Sequence, residues 1–378
     1  MISSCLLFDY LFKTFMPVLP TTKNIVRIVC RTFNHAQYIK DTMDGFCIQK
    51  TNFPFVAIII DDASTDGEPD IISHYLEEHF DMVNAQYDEN DDAKRIAAVH
   101  KNNPNCHFLV VLLKYNFYSI KKAQYPLYKG WYENVPYIAS CEGDDYWIDP
   151  LKLQKQVDIL EANSEITMVC NRTKLYSESR KKIIGENFCY NKSQVVNPKD
   201  VIYRTGLYIS TCSMTYRKGI KGKIPDYWAK CKVGDYPLQI MCAMKGKVYY
   251  LNDAMSVYRV ENSNSWMGKQ QWGKLDKGRL EVIASQINMF KGFAIDFPQY
   301  KTYFKNKIAN HINRFIPVNR SQEEINQYID YFHEDIEKYN LLQKIDLWMC
   351  KLKKPRIRYV YKHLFQKKYS ERKMLYIN

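Results

Sequence analysis

Three short apolar runs, each ending in a polar cluster, most limit what this chain can fold into. Phe55-Val56-Ala57-Ile58-Ile59-Ile60 is continuous and rich in β-branched residues, as a strand buried on both faces requires. It ends in Asp61-Asp62-Ala63-Ser64-Thr65-Asp66-Gly67. Upstream, Ile25-Val26-Arg27-Ile28-Val29-Cys30 ends in Arg31-Thr32-Phe33-Asn34-His35. Downstream, Val135-Pro136-Tyr137-Ile138-Ala139 ends in Ser140-Cys141-Glu142-Gly143-Asp144-Asp145-Tyr146-Trp147. Helical segments are predicted between them, over about 38–49, 67–79 and 121–132. Strands alternating with helices give an α/β fold with a mixed, mostly parallel sheet flanked by helices.

A strand that ends in an acidic cluster aims its carboxylates into the crevice at the sheet's C-terminal edge, where open α/β sheets bind ligands. Glu142, Asp144 and Asp145 crowd three carboxylates into four positions. They repel one another and lose hydration, so a cation is the natural resident. Hard oxygen ligands suit Mg²⁺ or Mn²⁺, ions that commonly bridge a protein to phosphates. The alternative is a polar turn before a helix, in which Asp149-Pro150 caps a helix starting near Leu151. That accounts for Asp149 but not for the other three acids.

Arg31-Thr32-Phe33-Asn34, Ile60-Asp61-Asp62-Ala63-Ser64-Thr65-Asp66 and Glu142-Gly143-Asp144-Asp145-Tyr146-Trp147 together resemble the successive signatures of family 2 glycosyltransferases with the GT-A fold. The resemblance covers roughly residues 24–266. Each motif alone is weak, but three in order at strand ends are specific. The resemblance implies that Thr32, Phe33, Asn34 and Asp62 hold the nucleobase and ribose of a nucleotide sugar. It places Glu142 and Asp144 on the donor, with Asp144 and Asp145 on a Mn²⁺ or Mg²⁺ ion. Two positions depart from the pattern: Arg31 stands where Pro or a small residue is usual, and Glu142 where Asp is usual. A general base is expected at Asp235, in Lys232-Val233-Gly234-Asp235-Tyr236-Pro237-Leu238, where a helix start is predicted with Pro237 in its first turn. Asp226 is the second candidate, and an N-cap role for Asp235 is the alternative. Ser210 to Arg217 resembles the acceptor-side strand. Val257 to Trp266 resembles a segment that closes over the donor, with Arg259 and Trp266 as candidate diphosphate and sugar contacts. Relatives often carry a His in that segment, where this chain has Glu261 and Asn262.

The implied activity is inverting transfer of a sugar, from a UDP-sugar by expectation, to a glycan or lipid-linked acceptor in bacterial surface polysaccharide or lipopolysaccharide synthesis. Two rivals stand beside it. A nucleotidyltransferase would want a Gly-rich phosphate loop after the first strand, and residues 31–35 contain no Gly. A non-catalytic nucleotide-sugar-binding membrane scaffold is compatible with Glu142 and Glu261.

The remaining sequence organises around this domain. Residues 1–23 read as an N-terminal extension, too short and polar to cross a membrane and without the pattern of a signal peptide. Eleven scattered Cys without a CxxC pair argue for a reducing, cytoplasmic setting. Residues 86–92 read as a solvated acidic loop, since they lack the Gly and final Glu of a calcium loop. A short helical piece is expected near 92–100, and a strand over 108–113. Residues 116–122 are expected to lie over the donor diphosphate, with Lys121 or Lys122 supplying charge. Residues 267–378 read as a helical region with a basic tail. From Lys344 to Lys373 there are eleven Lys/Arg against two acids, interleaved with aromatic residues. That composition suits peripheral attachment to an anionic membrane surface, on the inner face of the cytoplasmic membrane. Nucleic acid is the weaker rival partner, and a packed helix the structural alternative.

Overall fold

The computed structural model describes residues 26–129, 131, 134–204, 208–261, 277–314, 316 and 321–351, with the backbone of 375 and 376. The chain runs β1 (Val26–Thr32), α1 (Ile39–Cys47), β2 (Phe55–Asp61), α2 (Glu68–His79), β3 (Gln86–Glu89), β4 (Ala93–His100) and β5 (Asn103–Leu113). After a 3₁₀ turn at Tyr125–Tyr128 come β6 (Tyr137–Ser140), β7 (Tyr146–Trp147), α3 (Lys152–Ala162), β8 (Ile166–Ser177), β9 (Lys182–Asn187), β10 (Gln194–Val196) and α4 (Pro198–Tyr203). Then follow β11 (Thr215–Arg217), α5 (Asp226–Ala229), α6 (Asp235–Lys245) and β12 (Lys247–Val260). Helices α7 (Lys277–Asp296), α8 (Lys301–Arg314), α9 (Gln322–Tyr331), α10 (His333–Glu337) and α11 (Leu341–Lys351) form the appendage, and β13 (Leu375–Tyr376) pairs with β9.

The strands join in one sheet with the order β10-β12-β8-β11-β6-β1-β2-β5-β4-β3. Its centre, β6-β1-β2-β5, is parallel. The β3, β4 and β11 pairings are antiparallel, so the sheet is mixed as expected. Ile58, Ile59 and Ile60 are fully buried, each worth about 1.5–3 kcal/mol in burial. Ala57 and Ile59 face a cluster with Ile39, Met43 and Phe46 of α1, Ile72 and Leu76 of α2, and Leu153 and Val157 of α3. Val56, Ile58 and Ile60 face Leu109, Val111, Leu127 and Tyr128 on the other side. A third cluster packs α6, α7 and α8 beneath β6, β8 and β11, so the appendage shares its core with the sheet.

Four local expectations need correction. Residues 93–100 are a strand, because β3 and β5 flank them and sheet pairing overrides the helical propensity of the Ala-rich run. The acidic stretch before them is partly strand β3. Among the described residues of 121–132 there is no α-helix: Lys121 has φ +58° and only the 3₁₀ turn forms, with Pro126 in its first turn. In 210–217 only Thr215–Arg217 is strand, preceded by a 3₁₀ turn at Thr211–Ser213. The basic tail also starts inside packed structure. Leu347 and Cys350 of α11 are buried, and Asn313 Nδ2 donates to Asp346 Oδ2 at 2.7 Å. Ten described cysteines are free thiols. Among the described residues, no helix is long and apolar enough to cross a membrane.

Candidate active site

The parallel register brings the three strand ends to one edge. Thr32 pairs with Asp61 across β1 and β2, and Val29 pairs with Ser140 across β1 and β6. Backbone bonds then stitch the following turns together. Asp62 N–H donates to the Thr32 carbonyl at 3.0 Å, and Gly143 N–H donates to the Arg31 carbonyl at 2.9 Å. Gly143 has no side chain for a steric reason: a Cβ there would stand 2.1 Å from Thr32 Oγ1 and 2.5 Å from Thr32 Cβ. Thr42 on α1 holds the same turn, its Oγ1 2.9 Å from the Gly143 carbonyl and 2.7 Å from that of Asp145. Trp147 anchors the turn's far end, its Nε1 donating to the Cys212 carbonyl at 2.8 Å.

In the first turn, Thr32 is buried and its hydroxyl donates to Glu68, while Phe33 is 44% exposed beside it. Asn34 adopts φ +56°, a left-handed conformation that Asn tolerates. Its N–H donates to Ser64 Oγ at 2.8 Å, and its Oδ1 accepts from Thr65 N–H at 2.9 Å. Asp62 is buried. Its two carboxylate oxygens accept the N–H groups of Phe117 and Tyr118 at 2.7 and 3.1 Å. Asp62 thus holds the 116–118 loop against the strand ends. Lys122 Nζ lies 2.7 Å from Asp92 and 2.7 Å from Tyr115 Oη, away from a role as an unengaged cation.

The acidic turn is electrostatically tense. Asp145 is buried, with Oδ1 accepting Arg259 N–H at 2.9 Å and Oδ2 lacking any partner. Burial and the neighbouring Asp144 and Glu142 charges hold its carboxyl well above the usual range. Burial, then Asp144, then Asp235, push Glu142 up to about 7. Asp144 is half-buried, 3.9 Å from His35 Nε2. Asp235 is the first residue of α6, as expected, and burial raises its carboxyl. Its charge is felt at Glu142, so the two carboxyls lie within electrostatic reach of each other. Asp226 begins α5 and its side chain is 91% exposed, paired with Lys230 at 3.5 Å.

Arg259 lies beneath the turn instead of projecting freely. Its Nη1 donates to the Asp144 carbonyl at 2.6 Å, Nη2 meets Asp41, and Nε lies 3.0 Å from Glu178. Tyr146 and Tyr38 face the guanidinium at 4.5 and 4.8 Å. Glu261 is bonded by Ser177 and Ser179 and faces Arg180 at 3.5 Å. Trp266 lies outside the described residues.

Sequence reasoning missed three contributors. Glu68, fully buried, accepts from Thr32, from His35 N–H at 2.9 Å and from Ser64 Oγ at 2.9 Å, tying the first two turns together. A carboxylate two positions after Asp66 at a helix start was its only signal. His35 bridges Thr32 Oγ1, at 3.1 Å from Nδ1, towards Asp144. Tyr258 neighbours the acidic turn: burial and the Asp145, Asp144 and Glu142 charges push its phenol well up. Nothing in a period-two strand pattern marks it.

This mixed sheet with strand-end turns is a GT-A-like fold with C-terminal helices. It is similar to S. aureus TarS 1–349 in complex with UDP-GlcNAc, with a TM-score of 0.57 and 14% identity over 92% of this chain and 93% of that one. The same protein with UDP superposes with a TM-score of 0.54. No family model matches the chain. Over 271 residues it is 30% identical to the uncharacterized protein Rv1520 of Mycobacterium tuberculosis, covering 70% of this chain and 68% of that protein. An uncharacterized protein of Mycobacterium bovis matches to the same extent. The chain belongs to the family of these mycobacterial proteins.

Proposed function

We propose that this protein is an inverting glycosyltransferase that moves a sugar from a nucleoside-diphosphate sugar, a UDP-sugar, to a hydroxyl of a glycan or lipid-linked acceptor. The observation that carries the reading is the convergence of Glu142, Asp144 and Asp145 with Thr32 and Asp62 at one sheet edge, within electrostatic reach of Asp235. The likeness to TarS, whose complexes hold UDP-GlcNAc and UDP, supports the choice of donor class.

The residues fit a divalent cation. Asp145 Oδ2 is a buried oxygen without a partner, and the half-buried Asp144 carboxylate is next to it in sequence. No group of three or more His, Cys, Asp or Glu side chains among the described residues is arranged to hold a metal by itself. Mg²⁺ or Mn²⁺ would be held by Asp144 and Asp145, with water and phosphates completing the shell. When bound, the ion supplies Lewis-acid stabilisation of the departing diphosphate.

The chain's own residues do the rest. Thr32, Phe33 and Asn34 border the nucleoside end, and Phe33 offers an exposed ring on which a base can stack. Asp62 keeps the 116–118 loop folded over that end. Asp235 takes the proton from the acceptor hydroxyl as it attacks, and its raised carboxyl brings its basicity closer to neutral pH. Arg259 holds the acidic turn in place and acts as a positioning residue. The basic C-terminal stretch attaches the enzyme to the anionic inner surface of the cytoplasmic membrane, where lipid-linked acceptors of bacterial surface glycans reside.

A thermal-shift screen of the full-length protein tests this reading. UDP and UDP-sugars should raise the melting temperature in Mn²⁺ or Mg²⁺, more than GDP-, CMP- or dTDP-sugars do, and EDTA should remove the effect. A flat response to every nucleotide with metal present would refute it.

A further inference from the structure

On the face of the sheet opposite α1 and α2, three cations gather that form no ion pair among the described residues. Arg27, Val29 and Arg31 alternate onto that face of β1. Arg27 stands in register with Ile138 of β6, and Ile138 with Tyr216 of β11, so Arg27, Ile138 and Tyr216 form one row across the sheet. Lys221 Nζ lies over the Tyr216 ring at 5.6 Å, and the Arg27 guanidinium lies 5.4 Å from the Tyr128 ring. Tyr128 and Lys221 thus lie at the two ends of this row.

Arg27 is only 4% exposed, and its Nε and Nη1 have no hydrogen-bond partner. No ion pair among the described residues includes Arg27, Arg31 or Lys221. The ionised groups felt at half-buried Lys221 include the positive Arg31 and Arg27 and no carboxylate, and burial with those charges pushes it down to about 8. A buried guanidinium without a counter-charge is costly, and an ordinary core would not retain one. Arginine's planar fork matches the oxygens of a phosphate, which would satisfy the two orphan nitrogens and relieve the repulsion with Lys221.

The cluster also has a direction. Arg31 hydrogen-bonds Gln124 at 2.9 Å, and its charge reaches both Glu142 and Lys221. It thus links the catalytic edge to the row around Arg27, about 13 Å further down the strand. The nucleotide side of the cleft, at Thr32, Asn34 and Asp62, lies beyond the strand's other end.

We propose that Arg27, Lys221 and Arg31 form an anion subsite on the sheet face opposite α1 and α2, apart from the donor turns, which takes a phosphate group. The anion subsite does not rest on the glycosyltransferase reading.

Calorimetric titration of the full-length protein with inorganic phosphate, in the presence of saturating UDP and Mn²⁺, tests the proposal. Phosphate should still bind with the donor site filled. Arg27→Gln and Lys221→Gln should each weaken it by at least about tenfold while leaving UDP affinity unchanged. Lys221 is half-buried at the surface, so Lys221→Gln carries the test if Arg27→Gln fails to fold. Competition of UDP with phosphate for a single site would overturn the proposal, since the phosphate would then be reporting the donor's diphosphate position. So would phosphate affinity in Lys221→Gln within about twofold of the parent. If UDP does not bind at all but phosphate binds and is lost in Lys221→Gln, the anion subsite stands and the transferase reading falls.

Discussion

Arg259→Met tests how the acidic turn is held. The guanidinium is 5% exposed and joins strand β12 to three elements: the Asp144 carbonyl at 2.6 Å, Glu178 at 3.0 Å and Asp41. Asp41 is 55% exposed, and its pairing contributes little, within about 1 kcal/mol. Glu178 is only 10% exposed and without Arg259 keeps only the more exposed Lys181, at 2.6 Å, as a partner. Breaking a wholly buried pair from one side costs about 3–5 kcal/mol, and the remaining Lys181 holds the cost here to the low end of that range. Loss of the guanidinium between Tyr38 and Tyr146 adds about 0.5–2 kcal/mol. Methionine refills part of the volume, so the net loss should be about 3–5 kcal/mol. Urea denaturation followed by tryptophan fluorescence measures it. Arg259→Met/Glu178→Gln should recover part of the loss, because the carboxylate left with a single, exposed partner is then gone. In the folded variant, turnover should fall more than donor affinity. Unchanged stability with a raised donor KM would refute this reasoning and return Arg259 to a direct diphosphate contact.

Gly143→Ala must push Thr32 away from the turn and should destabilise by about 1–3 kcal/mol by overpacking, measurable in the same urea titration. Asp235→Asn should keep donor binding and lower kcat at least about a hundredfold. Asp235 must be ionised to act, and burial raises its carboxyl, so kcat should fall as pH drops through a value above the usual aspartate range. A pH–kcat profile shows that acid limb in the parent and its absence in the residual activity of Asp235→Asn. The basic stretch should drive sedimentation with phosphatidylglycerol vesicles at low salt and release as salt rises, each Lys or Arg near the surface contributing about 1 kcal/mol. Deletion after Lys351, which spares packed α11 and removes from the sheet only the two-residue edge strand β13, should abolish sedimentation and leave the domain folded.

The strand ends were legible because three buried runs, each stopping at a polar cluster, leave little choice of fold. Val56 to Ile60 are apolar on both faces, and the sheet buries both. Asp235 was legible because a helix start and Pro237 lie together, and α6 begins there. The failures were of two kinds. Residues 93–100 read as helix because Ala, Lys and Arg favour it locally, while the partners that make them a strand lie on neighbouring strands. Glu68, His35 and the engaged guanidinium of Arg259 depend on which side chains meet across 33 to 218 positions of sequence, which no local pattern encodes. The unpaired Arg27 is the same kind of fact: a strand Arg is unremarkable until its neighbours prove to be uncharged or cationic.

The most direct test of the central claim is donor turnover by the full-length protein, followed by mass spectrometry of UDP-sugars with Mn²⁺ and with EDTA. The account predicts slow release of UDP and free sugar with metal, its loss in EDTA, and its loss in Asp145→Asn, which removes an anionic ligand from the acidic turn. Release that is indifferent to EDTA and to Asp145→Asn, or no release from any nucleotide sugar by a folded, metal-loaded protein, would contradict it.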